Sequence, residues 1–358
     1  MNAPFHRTAL SIRRIDLTDP GEAPRLEGFV AEHPDGTAFH RPIWLTATAR
    51  GTGNIAHALV AERGGELVGY LPLLEVRSPL FGRVLASSGF GVGGGVLATD
   101  RKTMQSLVAA AEELACRHSC PTIELRGGLL PERRPGWITR FDSHCGFVRD
   151  LALDDEAEMN TIPRKQRAEV RKGVANDLTV TVGSGGDDRV AHYAVYAESV
   201  RNLGTPVFPR RLFAEVLDAF GKDADILTVR HRGKPVASVL SLYHKGSVMP
   251  YWGGGTWDAR RLRANDRMYF ELMLHARRRG CARFDFGRSK TASGAYDFKR
   301  NWGFEPEPLA YASWTADGVA HRDADPTSSR HSAKIAVWKR LPLPLANAIG
   351  PWVSRGLG

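Results

Sequence analysis

Cysteine is scarce in this chain of 358 residues, and its four copies follow no pattern. Cys116, Cys120, Cys145 and Cys281 are irregularly spaced, whereas a disulfide framework or a zinc site needs paired or repeated spacings. The twelve histidines also show no spacing typical of metal ligands. The composition therefore predicts reduced thiols and no bound metal.

Long apolar runs are missing as well. No stretch reaches the roughly 18 uninterrupted apolar residues that a membrane-spanning helix needs. The opening sequence, MNAPFHRTALSIRRID, contains no apolar core like that of a secretory signal. Together with the reduced thiols, these observations lead us to expect a protein of the cytoplasm.

Acidic residues are outnumbered by basic ones, 39 to 49, which gives a net charge of +10. A basic chain suits nucleic acid, an anionic membrane face or a phosphorylated substrate, and the alternative is a general arginine bias. A nucleic-acid binder would rest on charge alone, because the chain shows neither a binding motif nor interleaved aromatic residues. DNA is therefore not an expected partner.

An internal repeat organises the chain. A glycine triplet that ends at Gly95 returns at Gly255, 160 residues later. A helix and then a strand follow each triplet, and the acids of those strands, Glu124 and Asp285, are 161 residues apart. So steady an offset indicates an internal duplication.

Each copy also has a hairpin before its glycine triplet. The predicted hairpin strands are Ala58–Arg63, Glu66–Val76, Leu227–Arg232 and Pro235–His244. The predicted helices are Thr103–Arg117 and Asn265–Arg279. This order predicts an α+β (mixed α/β) unit, with a mainly antiparallel sheet, that occurs twice. The expected parts are residues 1–155, residues 156–316 and, at 317–358, a polar linker with a basic, apolar tail.

The stretch from Ala264 to Phe304 combines charge with aromatic residues. The predicted strand Ala282–Phe286 puts its two phenylalanines on one face and Asp285 on the other. A glycine-punctuated loop and an aromatic-rich turn, which carries Lys299, are expected next. An acid and a partly exposed lysine among buried aromatics are typical of a functional site.

A basic segment, NTIPRKQRAEVRKGVAND, lies between the two copies. The proline is expected near the start of a helix, on which Arg164, Arg167 and Arg171 share one face. With Lys165 they would form a phosphate clamp, because guanidinium groups bind phosphate oxygens in pairs. The alternative is a solvated helix face.

The tail at 333–358 is both basic and apolar. From Arg330 onward there are five basic residues and no acid, and Trp338, Ile349 and Trp352 are among its large apolar residues. Such a segment suits an anionic membrane interface. The alternative is that the tail packs along its own body or on a second subunit.

Three motifs resemble those of a known family. They are YWGGG at Tyr251–Gly255, FDFGRS at Phe284–Ser289 and FKRNWGFEP at Phe298–Pro306. They resemble the Fem-type aminoacyl and peptidyl transferases, and more closely the FemAB-like proteins associated with exosortase (PEP-CTERM) and exopolysaccharide systems. The resemblance covers most of the chain from about Phe39 and implies tandem acyltransferase domains of the Gcn5-related N-acetyltransferase (GNAT) fold.

The resemblance implies an N-acyltransferase that acts on a cell-envelope or exopolysaccharide precursor. Lys299 would stabilise the oxyanion. Asp285 would act as a base or orient Arg288, unless it is purely structural. The expected substrate-binding residues are Arg164, Lys165, Arg167, Arg171, Tyr251, Trp252, Arg288, Tyr296, Phe298 and Trp302.

The donor and the location stay open at this point. An acyl-CoA, an acyl-carrier or an aminoacyl-tRNA could supply the acyl group, but the coiled-coil arm with which some Fem enzymes are thought to engage tRNA is absent. The acceptor would be a phosphorylated or lipid-linked glycan or peptide precursor, at the inner face of the membrane. The alternative function is a non-catalytic scaffold that docks at the membrane.

Overall fold

The computed structural model describes residues 9–131, 134–319 and 332–358, with side chains of the last stretch from 335 onward. The chain divides into two compact units. The first unit comprises Met1–Arg140, Ala310–Asp323 and Gly356–Gly358, and the second comprises Phe141–Leu309 and Ala324–Arg355. Residues 320–331, which make up most of the predicted polar linker, lie outside the described residues.

The described residues form fifteen strands. They are β1 (Leu10–Ile15), β2 (Ile55–Arg63), β3 (Glu66–Ser78), β4 (Gly82–Ser87), β5 (Leu97–Ala98), β6 (Thr122–Arg126), β7 (Trp137–Gly146), β8 (Val148–Asp150), β9 (Thr179–Gly183), β10 (Ala224–His231), β11 (Lys234–His244), β12 (Ser247–Gly255), β13 (Arg283–Asp285), β14 (Ser289–Lys290) and β15 (Glu307–Thr315).

Twelve α-helices accompany them in the described residues. They are α1 (Glu22–Glu32), α2 (Pro42–Thr52), α3 (Arg101–Arg117), α4 (Asp155–Thr161), α5 (Arg164–Ala175), α6 (Gly186–Leu203), α7 (Arg210–Phe220), α8 (Trp257–Leu262), α9 (Ala264–Arg278), α10 (Gly294–Asn301), α11 (Ser332–Arg340) and α12 (Leu343–Ser354). None of the helices in the described residues is both long and apolar enough to cross a bilayer.

The first unit is a sheet with the strand order β1-β2-β3-β4-β6-β15, in which only the β4–β6 pair is parallel. Helix α3 buries Leu107, Val108 and Ala111 against this sheet. Phe39 and Trp44 are fully buried in this unit and meet edge to face, with ring centroids 4.9 Å apart. Both hairpins predicted from sequence are present, with strand ends that differ by a few residues.

The second unit repeats this topology. Its sheet has the order β9-β10-β11-β12-β13-β8, and again one pair, β12–β13, is parallel. Helix α9 precedes the parallel strand β13 just as α3 precedes β6. Glu124 and Asp285 are each the half-buried residue between two buried ones. A shared strand order and a shared parallel pair support a duplicated unit.

The compact units are not contiguous in sequence, unlike the parts expected at 1–155 and 156–316. Strand β15 follows the second copy in the chain but pairs with β6 of the first unit. Strand β8 precedes the second copy and pairs with β13 of the second unit. A sequence repeat shows which elements the two copies share. It does not reveal an edge strand that is contributed by another part of the chain.

The start of α3 gives a test of the local fold. Asp100 accepts a hydrogen bond from the Thr103 backbone N–H at 2.8 Å. We expect Asp100→Ala to lower the free energy of unfolding by about 1 kcal/mol, because the cap is lost. Asp100→Asn keeps an acceptor oxygen and should lose less. Urea denaturation of the two variants checks this, and equal losses would show that the cap does not stabilise the helix.

Candidate functional site

A tight turn after β13 builds the centre of the site. The strand ends at Asp285, and Gly287 adopts a left-handed conformation with φ of +68° that glycine accepts at little cost. The Gly287 N–H donates to Asp285 Oδ1 at 2.8 Å, which closes the turn. The chain then pairs through Ser289 with Cys145 of β7. The turn leaves the carbonyls of residues 287 and 288 as hydrogen-bond acceptors.

Helix α10 supplies the lysine, and here the sequence prediction of a loop and turn was wrong. Ser293 caps the helix by accepting a hydrogen bond from the Tyr296 N–H at 3.3 Å. Gly303, with φ of +83°, ends it, and its N–H donates to the Arg300 carbonyl at 2.9 Å. A serine N-cap and a glycine just past the C-terminus, ten residues apart, are a helix signal that the aromatic content obscured.

Lys299 is buried rather than partly exposed, with 8% of its surface accessible. Its ammonium Nζ donates to the carbonyls of Gly287 at 3.1 Å and Arg288 at 2.8 Å. It also lies over the rings of Phe147 and Phe286, 5.3 and 5.7 Å from their centroids. An ammonium has three N–H donors, so one remains without a hydrogen-bond partner among the described residues.

Burial also changes the acid–base properties of the pair. Loss of hydration lowers the pKa of Lys299 to about 7, and the charge of Asp285 opposes that shift. Burial likewise raises the pKa of Asp285 to about 6, against the Gly287 hydrogen bond and the charge of Lys299. Near neutral pH the lysine is therefore partly protonated and the aspartate mostly ionised.

Aromatic side chains surround the lysine on the side of the core. Phe286 contacts Phe298 and Trp302, with ring centroids 6.1 and 6.4 Å apart, and Tyr296 meets Phe147 edge to face at 5.4 Å. Three residues predicted to bind substrate, Tyr296, Phe298 and Trp302, thus pack on the two rings that lie next to Lys299, and Tyr296 and Phe298 are half-buried. Trp302 is fully buried.

The other predicted residues of the centre lie in different surroundings. Arg288 contributes its backbone carbonyl to Lys299. The rings of Tyr251 and Trp252, on β12, meet at a tilt of 57° with centroids 4.9 Å apart, and Trp252 packs on Phe213 at 4.8 Å. These two aromatics therefore belong to a cluster on α7, and a contact with substrate there stays a prediction.

Phe147 is a residue of the site that sequence reasoning missed. It is fully buried between β7 and β8, and its carbonyl accepts the Phe286 N–H at 2.8 Å. It precedes Lys299 by 152 residues, and only the pairing of β8 with β13 brings the two together. No local pattern could have indicated it.

The basic segment forms helix α5 after Pro163, as expected. One face of it lines a shallow cavity of about 600 Å³. The lining residues are Arg164, Arg167, Ala168, Arg171, Lys172 and Ala175. The spacing that predicted a shared arginine face is therefore realised, while Lys165 is exposed outside this lining.

The cations of the α5 cavity differ in how they are held. Arg167 donates to the carbonyls of Ile162 and Asn160 and to the Asn160 side chain, at 2.9–3.0 Å. Arg164 and Arg171 are exposed and have no hydrogen-bond or ion-pair partner among the described residues. Arg167 thus braces the start of the helix, and the other two arginines keep their donors for an anion.

One cluster within the described residues has the ligand types of a metal site. Glu75 is fully buried and receives hydrogen bonds from His57 Nε2 at 3.0 Å, His118 Nδ1 at 2.9 Å and Arg77 Nε at 2.6 Å. Arg14 lies 3.5 Å from the other nitrogen of His57. Two guanidinium groups would repel a divalent cation, so we interpret the cluster as a buried carboxylate satisfied by its neighbours.

Comparison with known proteins identifies the fold. A family model described as "Acetyltransferase (GNAT) domain" matches residues 160–300. No curated protein matches the chain.

Similar solved structures agree with this. The crystal structure of FemX has 15% identity and a TM-score of 0.65, over 84% of this chain and 96% of that one. A tandem GNAT protein from the clavulanic acid biosynthesis pathway has 13% identity and a TM-score of 0.57, over 87% and 100%. The C-terminal domain of a putative lysylphosphatidylglycerol synthetase from Agrobacterium fabrum has 14% identity and a TM-score of 0.55, over 81% and 91%. The predicted tandem GNAT-like fold is confirmed.

The burial of Lys299 predicts a pH dependence of the free energy of unfolding. Between about pH 7 and the ordinary value of 10.5, the unfolded chain binds a proton at this lysine and the folded chain does not. The free energy of unfolding of the wild type should therefore rise with pH in this range relative to Lys299→Met. Urea denaturation of both at pH 7, 8.5 and 10 measures it, with Lys234→Met as the control for removing a surface lysine. A constant difference would contradict the lowered pKa.

Proposed function

We propose that the protein is an N-acyltransferase that transfers an acyl group to an amine of a cell-envelope or exopolysaccharide precursor. The observation that carries the proposal is the buried Lys299 ammonium, held by two carbonyls with one N–H left over. The GNAT-like fold and the Fem-type motifs that include Lys299 support the same reaction class.

Lys299 would act on the oxygen of the acyl carbonyl. When the acceptor amine attacks the carbonyl carbon, the C–O double bond opens and the oxygen gains negative charge. The remaining N–H of Lys299 donates to that oxygen, and the phenylalanine rings around it strengthen the interaction by excluding water. The two backbone carbonyls keep Nζ in place, so little reorganisation accompanies the reaction. The tetrahedral intermediate then expels the donor's leaving group.

Asp285 would act as the general base that accepts the proton of the attacking amine. Gly287 occupies one of its oxygens, Oδ1. With a pKa raised to about 6, the carboxylate is still mostly ionised at neutral pH and is a better base than an ordinary aspartate. It would take the proton that the amine loses, or orient Arg288 toward the substrate, which was the other role expected from the sequence.

Helix α5 would hold the phosphate of the acceptor. Arg164 and Arg171 are two turns apart, about 10 Å along the axis, which long side chains can span to reach one anionic group. Lys165 would add charge at the margin. A phosphorylated or lipid-linked precursor at the inner face of a membrane carries such a group, as does the phospholipid in the name of one structural neighbour.

An acyl-CoA, an acyl-carrier or an aminoacyl-tRNA would supply the acyl group. The start of α9 bears on a donor that contains a diphosphate, because helix N-termini bind diphosphates readily. The nearby acids carry little opposing charge, since Glu169 of α5 forms an ion pair with Arg263 at 2.7 Å and burial raises the pKa of Asp266 in the first turn. All three donor classes are therefore compatible with this helix.

The first test removes the charge of Lys299. Lys299→Met, which keeps much of the side-chain volume, should lower the single-turnover rate of acyl transfer by roughly 10²–10³, about the cost of one oxyanion donor. Lys299→Arg should recover only part of the rate, because the planar fork places its charge differently. An unchanged rate in a folded Lys299→Met would remove the lysine from the mechanism and shift the role to Asp285 and backbone amides. Loss of fold in the same variant would indicate a structural lysine and favour the non-catalytic scaffold.

The pH dependence separates two roles of the same lysine. An oxyanion donor must be protonated, so the rate should fall as pH rises through about 7. A general base must be neutral, and the rate would then rise over the same range. The measurement needs an acceptor amine whose own pKa lies below the range scanned. A rising profile would contradict the proposed role.

The α5 cavity is tested through the acceptor. Arg164→Gln and Arg171→Gln should each raise KM for a phosphorylated acceptor about tenfold, which corresponds to 1.4 kcal/mol and to one lost charge-assisted hydrogen bond. The turnover number should change little. Arg232→Gln, at an exposed hairpin turn, is the matched control. An equal effect of all three would show general charge attraction instead of a site.

A further inference from the structure

The chain's C-terminal helices pack on the second unit through a narrow inner face. Ala346, Gly350 and Ser354 recur at intervals of four and are the buried residues of α12. Ser354 Oγ donates to the Val207 carbonyl at 2.9 Å, and a Cβ on Gly350 would lie 3.0 Å from the Val207 nitrogen. The inner face of α12 therefore packs on the protein's own body, which was the alternative expected for the tail.

The outer face of α12 is apolar and exposed. Leu345, Ile349 and Trp352 lie four and three residues apart, which puts them on one side, and they are 46, 39 and 48% exposed. Val337 on α11 is 63% exposed. The sequence of α12, LPLANAIGPWVS, contains no charged residue. A row of large apolar side chains this exposed is typical of a binding surface.

Cations flank the row at both ends. Lys339 and Arg340 end α11, and Arg355 follows α12, all three exposed. No acidic residue occurs from Ser332 to the last residue of the chain. The surface therefore needs an occupant that is apolar in the middle and anionic at its margins.

An anionic bilayer meets this requirement. Tryptophan and aliphatic side chains of an interfacial helix enter the boundary between head groups and acyl chains, while flanking lysine and arginine contact the lipid phosphates. A second copy of the chain fits less well, because a symmetric contact would bring the same cations together.

We propose that α11 and α12 form a membrane-binding surface in which Leu345, Ile349 and Trp352 insert into an anionic leaflet and Lys339, Arg340 and Arg355 bind its phosphates. The helices lie along the surface and do not cross it. The inference does not rest on the acyl transfer proposed above, because vesicle binding is measured without donor or acceptor.

The test is co-sedimentation of the full chain with vesicles. Wild type should bind vesicles of phosphatidylglycerol and phosphatidylcholine, bind pure phosphatidylcholine much less, and dissociate as salt rises. Lys339→Gln with Arg340→Gln should weaken binding about 25-fold, at about fivefold per charge. Trp352→Asp should also abolish most binding. Val190→Asp, an exposed valine on α6, is the matched control and should bind like wild type.

Several outcomes would overturn the proposal. They are equal binding to both kinds of vesicle, equal loss in Val190→Asp and Trp352→Asp, or binding that salt does not weaken. A stable dimer that Trp352→Asp dissociates, without vesicle binding, would show that the surface contacts a second copy. Thermal melting confirms that each variant folds. If Trp352→Asp does not fold, the salt dependence of wild-type binding to the two kinds of vesicle tests the proposal.

Discussion

The hydrogen bonds from the Lys299 ammonium to two backbone carbonyls are the interaction on which the candidate site depends. A buried ammonium must replace the water it loses, and the turn at Gly287 supplies the acceptors. The rings of Phe147 and Phe286 exclude water on the other side, and the same burial lowers the lysine pKa to about 7. A group that is costly to bury and still has a free donor is the kind that functional sites retain.

Much of the fold could be predicted, because its hairpins and helices follow local sequence patterns and these patterns occur twice in the chain. The tandem unit is predicted by the hairpins, by helices α3 and α9 and by the steady offset between the copies. The sequence did not reveal that β8 and β15 complete sheets outside their own copy. Strand partners far apart in sequence are chosen by tertiary packing, and three-residue β8 carries almost no periodicity of its own.

The site was predicted only in part, because local sequence patterns indicate some of its residues and not others. Lys299 and Asp285 lie in a stretch dense in aromatic residues, and the arginine face of α5 follows from helical spacing alone. Phe147 and the two backbone carbonyls could not be identified, since one depends on strand pairing and the others carry no side-chain signal. The burial of Lys299 also escaped prediction, because the sequence of helix α10 indicated a turn. A helix turns the lysine inward, whereas a turn would have left it partly exposed.

The protonation of Lys299 is the measurement that tests this account most directly. A chain with ¹⁵N-labelled lysine, titrated by NMR through its Nζ resonance and assigned with Lys299→Met, reports the pKa at this one residue. The account predicts a midpoint near 7, and a still lower one in Asp285→Asn, because the carboxylate charge raises the lysine pKa. A midpoint near the ordinary 10.5, unaffected by Asp285→Asn, would contradict the buried ammonium and the site built on it.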